Sequence, residues 1–146
     1  MTMRGTSMAL RRLAATVGVL TVLVGAASAQ SLKEARARET EEAALNREAA
    51  YTKSVCGTPL RVSIDWRFAA DWPDGVSLAA ACDGALGALE ASCRSNAGKA
   101  QAQNIKSFVC TGDGAGPSLR GGVLRYGARP GENGFAETKA LLDGAR

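Results

Sequence analysis

The sequence predicts a small α+β domain: helices on one face of a three-stranded sheet in the order β-α-β-β-α, preceded by an N-terminal helix and stapled by two disulfides. Three observations lead there. Ser77–Arg94 (SLAAACDGALGALEASCR) repeats its apolar residues with a helical period. Leu60–Trp66 alternates apolar and polar residues strictly, as a half-buried strand does. All four cysteines (Cys56, Cys82, Cys93 and Cys110) follow a segment with the make-up of a secretory leader.

That leader is residues 1–29. Arg4, Arg11 and Arg12 form a positive start, Leu13–Val24 an apolar run, and Ala27-Ser28-Ala29 a small-residue cleavage site. The apolar run is shorter than the ~20 residues of a comfortable membrane span. The mature chain is therefore expected to begin at Gln30, outside the cytoplasm, in the periplasm or secreted, with no stable membrane insertion after cleavage. The whole chain has 18 basic and 14 acidic residues. Three of the basic ones lie in the leader, leaving 15 against 14. So balanced a surface argues against a nucleic-acid partner.

Residues 30–54 read as a charged, alanine-rich helical arm. Glu34–Arg38 and Arg38–Glu42 are opposite charges at i,i+4 spacing, but Leu32, Ala35, Ala43, Leu45 and Tyr51 share no single face. The domain proper is expected over 55–146. Cys56-Gly57-Thr58-Pro59 is a turn before the first strand. Pro73-Asp74-Gly75 is another before the central helix, which Ser77 or Asp74 could cap.

On that helix, Leu78, Cys82, Leu86, Leu89 and Cys93 form the apolar stripe, and Asp83, Glu90 and Arg94 a polar flank. Ala80, Gly84, Gly87 and Ala91 form a bare line on which the arm could dock. A further helical turn follows at Ala97–Gln103. The second strand is Ile105–Cys110. The third is Leu119–Tyr126, where Gly121-Gly122 suggest a bulge or a close backbone approach, and TGDGAGPS forms the hairpin loop between them. Asn133 caps a last helix carrying Phe135, Lys139 and Leu142, with Gly144 at its end.

The crossover fixes the cysteine pairing. Cys82 and Cys93 lie about 16 Å apart along one helix, beyond the ~7 Å reach of a disulfide. A helix returning along the first strand brings Cys93 to Cys56 and Cys82 to Cys110. No C-x₂₋₄-C pair points to zinc.

The chain contains no histidine, so histidine-dependent triads and acid–base sites are absent. Gly112-x-Gly114-x-Gly116 runs into Pro117 and is not a dinucleotide fingerprint. Gly84-Ala85-Leu86-Gly87 matches the G-x-x-G of KH domains formally, yet lies within continuous helical periodicity without the basic clamp. Neither a cofactor nor a metal is called for.

What remains is binding. Trp72, in a loop, and the edge residues Arg120 and Arg125 are the candidate contacts, with the Gly-rich hairpin beside them. The expected partner is a protein or an anionic polymer of the cell envelope. An inhibitor or immunity-type protein is a second class. A glycan-acting hydrolase using Asp65 with Asp71 or Asp74 is a third.

Overall fold

The computed structural model describes residues 23–144. Most of the expected leader, residues 1–22, lies outside them. The described residues form four helices and a four-stranded mixed sheet. The helices are α1 (Leu23–Cys56), α2 (Leu78–Ser92), α3 (Asn96–Ala102) and α4 (Phe135–Gly144). The strands are β1 (Arg61–Asp65), β2 (Ser107–Thr111), β3 (Gly116–Arg120) and β4 (Val123–Gly127), in the spatial order β1-β2-β4-β3. Among the described residues no helix is long and apolar enough to cross a membrane.

The sheet corrects the three-stranded expectation. Leu119–Tyr126 is not one strand with a bulge but the two arms of a hairpin. Gly121 and Gly122 form its two-residue turn, with φ of 56° and 75°. Positive φ at both central residues is the turn whose twist matches flanking strands, and Gly adopts it without steric cost. The segment read as a hairpin loop is instead divided. Gly112–Ala115 carries the chain to the sheet edge, and Gly116 opens β3. β4 then returns between β3 and β2, antiparallel to the first and parallel to the second.

β1 and β2 are parallel neighbours joined through α2 and α3. Val62, Phe108, Leu124 and Leu119 fall in one row across the sheet, and Ile64, Cys110, Tyr126 and Pro117 in the next. The helices cover this face. Phe108, Cys110, Leu124 and Tyr126 are fully buried there with Leu78, Cys82, Leu86 and Leu89 of α2.

Cys56–Cys93 and Cys82–Cys110 are disulfides with Cα separations of 5.2 and 5.9 Å, the pairs that the crossover geometry requires. They tie the ends of α1 and α2 together and pin the second turn of α2 to β2.

α1 is exposed from Ser31 to Thr40 and then docks. Leu45, Ala49, Thr52 and Cys56, spaced by four, three and four residues, are buried against α2. Leu32 and Tyr51, the other large apolar residues of the arm, stay exposed. The bare line of α2 does not receive α1. A Cβ on Gly84 would stand 2.8 Å from the Asn133 carbonyl carbon, and Gly87 faces the Phe135 ring. Those small residues make room for the chain entering α4.

Candidate functional site

The connection between β1 and α2 folds back over the edge of the sheet and faces α1. Asp65 caps a 3-10 turn at Trp66–Phe68, accepting from the Arg67 amide. The expected strand therefore ends at Asp65, and Trp66 swings towards α1. Its indole N–H donates to the Glu42 carboxylate at 2.8 Å, and the Arg38 guanidinium lies 5.5 Å from its ring centroid. Trp72 is half-buried. Its N–H donates to the Val76 carbonyl at 2.9 Å, closing the turn that Gly75 makes at φ 76°. Its ring packs on Gly112, where a side chain would clash with it.

The start of α2 completes the floor. Ser77 accepts from the Ala80 amide, the ordinary N-cap bond. The Glu41 carboxylate, from the neighbouring helix, accepts from the Ser77 hydroxyl at 2.9 Å and the Ala79 amide at 2.7 Å. A negative group there also complements the positive end of the helix dipole. Contacts at Glu41–Ser77 and Cys56–Cys93 make α1 and α2 parallel over roughly four turns. That orientation sets like dipole ends side by side; Glu41 offsets it at one end and the disulfide fixes it at the other.

Between these elements lies a groove of about 540 Å³. Trp66, Trp72, Pro73, Val76 and Leu78 wall one side, and Ala37 and Arg38 of α1 the other. Glu34 and Asp74 stand at its rim and form no ion pair among the described residues. The groove is thus aromatic within and acidic at the edge.

A second cluster occupies the carboxyl ends of the parallel strands, on the sheet face that no helix covers. Arg67 forks onto Asp65 at 2.9 and 2.7 Å. Arg125 reaches Asp113 at 2.6 Å and Asp65 at 3.6 Å, and its guanidinium lies 5.4 Å from the Phe68 ring. The hydrogen bonds from Arg67, with Arg125 behind them, hold the Asp65 carboxyl far below the usual carboxylate range. For Asp113, partial burial favours the protonated form, but the bonds from Arg125 and the Ala115 amide outweigh it, so its pKa is lowered. Both groups stay ionised and paired.

The sequence-predicted contacts are therefore dispersed. Trp72 lines the groove beside the Gly-rich loop. That loop is held in place, with Arg129 donating to the Gly114 carbonyl at 2.9 Å and Asp113 accepting from Ala115. Arg125 is on the open face and already satisfied by two aspartates. Arg120 is exposed at the far end of β3, about 14 Å from Gly116 at ~3.4 Å per residue. Of the three aspartates, Asp74 lines the groove, Asp71 is exposed in the loop, and Asp65 is engaged on the sheet side.

Arg38, Glu41 and Glu42 carry no site signal of their own in the sequence, whereas Trp66 stands there beside Trp72 among the three aspartates. The signal that could have found them is the Glu41/Leu45/Ala49/Thr52/Cys56 spacing, which places one face of α1 on α2. All four cysteines are disulfide-bonded, and among the described residues no group of three or more His, Cys, Asp or Glu is gathered as a metal site. Comparison with protein-family models, curated proteins and solved structures finds no match for this chain.

Proposed function

We propose that this chain is a binding domain of an oxidising compartment, the periplasm or the cell exterior, that holds a segment of an envelope protein in the Trp66/Trp72 groove. The observation that carries the reading is the groove itself: both tryptophans of the chain converge on one cleft. Two indole faces with their N–H groups already bonded offer apolar area at little cost in ordering. The acidic rim selects the flanks. Glu34 and Asp74 favour a segment with an aliphatic or aromatic anchor next to lysine or arginine. The two disulfides and the leader-like start of the sequence support the compartment. A hydrolase built on Asp65 gains no support, because that carboxylate is tied to Arg67 and Arg125 and does not line the groove.

The test uses both tryptophans as reporters. A photo-crosslinking residue at Val76, 43% exposed on the rim, captures the partner in the cell envelope. The captured protein, purified, is then titrated against the domain. Blue-shifted tryptophan emission is expected, with affinity falling by about tenfold or more in Trp72→Ala, the loss typical of an interface anchor. Emission that stays unchanged while binding persists would place the contact elsewhere and overturn the reading.

A further inference from the structure

The open face of the sheet carries a second recognition surface, unrelated to the groove. Strand register sets its residues in rows. Arg61, Ser107, Val123 and Arg120 form the first, and Ser63, Val109, Arg125 and Ser118 the second. The third, Asp65, Thr111, Gly127 and Gly116, belongs to the carboxyl-end cluster. Arg125 leans towards that third row, where Asp65 and Asp113 neutralise it. The first row has no such compensation. Arg61 and Arg120 are exposed and make no ion pair among the described residues. The side-chain hydroxyls of Ser63, Ser107 and Ser118 likewise make no hydrogen bond there.

We propose that this face binds an acidic polysaccharide laid across the strands, with Arg61 and Arg120 each taking one anionic group and the serine hydroxyls meeting the sugar hydroxyls between them. The spacing rules out a small ion as the natural occupant. Three interstrand steps of ~4.8 Å separate the two arginines at the backbone by about 14 Å. A single small anion cannot bridge that separation, whereas a chain with repeated charges reaches both arginines where they stand. An apolar partner is disfavoured, since Val109 and Val123 are the only aliphatic residues in these rows. Single-stranded nucleic acid would favour ring platforms for its bases. Phe68 lies at the opposite end, against Arg67 and Arg125.

The experiment titrates the domain with polygalacturonate by calorimetry, with neutral dextran as blank. Two neutralised charges predict binding that weakens by about tenfold between about 50 and 200 mM salt. Arg61→Gln and Arg120→Gln should each lower affinity at low salt and roughly halve the salt dependence. Arg47→Gln, on the exposed side of α1, makes the same net-charge change and should bind like the wild type. Binding of dextran sulfate with the same dependence on Arg61 and Arg120 would support the anionic-glycan assignment equally. Each of three results would overturn it: no binding at low salt, equal loss in Arg47→Gln, or tighter binding of single-stranded oligonucleotide through the same arginines. Trp72→Ala leaves this titration unchanged, so it separates this face from the groove.

Discussion

Gly84 and Gly87 lie one turn apart on the same helix, yet replacing each with alanine should move stability in opposite directions. Helix propensity alone favours alanine at both positions, by about 1 kcal/mol each. At Gly87 the new Cβ would meet the Phe135 ring at 3.7 Å, an ordinary contact, so Gly87→Ala should keep most of that gain. At Gly84 it would stand 2.8 Å from the Asn133 carbonyl carbon and nearer still to its oxygen. The loop cannot retreat, because a Cβ at the next residue, Gly134, would lie 2.6 Å from the Tyr126 hydroxyl. Asn133-Gly134 is thus pressed between α2 and a buried tyrosine. Forcing a methyl into such a space costs about 1–3 kcal/mol beyond the propensity gain, so Gly84→Ala should be the less stable variant. Thermal melts with the disulfides intact read this directly. At about 4 °C per kcal/mol, Gly87→Ala should rise by about 2–4 °C and Gly84→Ala fall by about 4 °C or more. Two equal increases would show that the chain entering α4 does not lie against α2.

Other expected outcomes follow from the same contacts. Glu41→Ala should lower stability by about 1–2 kcal/mol, as the loss of a helix cap does, and urea denaturation measures it. Replacing Cys56 and Cys93 together with serine should cost about 3–4 kcal/mol for a closed loop of this length, seen as a lower urea midpoint. Glu90 is partly buried between α1 and α2. Burial raises its pKa above the ordinary 4.5, although the Thr52 hydroxyl, donating at 2.7 Å, opposes the shift. A carboxyl raised in the folded state favours folding below its unfolded pKa and weakens it as pH rises through the folded value. Glu90→Gln should therefore melt higher than the wild type at neutral pH, and the gap should close below about pH 4.5. Asp65 and Asp113 have the opposite sign. Their lowered values add stability above the ordinary 3.8 that is lost as pH falls through the folded values, so Arg125→Gln should be most harmful at neutral pH and nearly silent in acid.

Much of this architecture was legible in the sequence because single elements carried unmistakable periods. The stripe of α2 and the alternation of β1 each specified a face, and the length of α2 separated Cys82 from Cys93. Those facts together sufficed for both disulfides. The hairpin was missed because Leu119–Tyr126 reads as one run of acceptable length, and Gly-Gly serves a bulge and a two-residue turn alike. Only the antiparallel pairing of β3 with β4 decides between them. The docking of α1 was obscured for another reason. Its buried line is made of Leu45, Ala49, Thr52 and Cys56, of which only Leu45 is a large hydrophobe. The groove depends on that docking. Trp66 looked like the last residue of a buried strand face until α1 supplied Glu42 and Arg38 as its neighbours.

The parallel pairing of α1 with α2 also has a mechanical meaning. α1 is clamped near both ends of its partner, at Glu41 by hydrogen bonds and at Cys56 by a covalent bond. The ten residues from Ser31 to Thr40 continue the same helix beyond the clamp, about 15 Å of rod along which Arg38 also meets the Trp66 ring. A helix held at two points cannot swivel as a flexible linker does. Anything joined at Ser31 would be carried at a set distance and bearing from the groove. Tension applied there would load the clamp and the Cys56–Cys93 bond in shear, with no slack chain to extend first. The exposed arm of α1 is a strut.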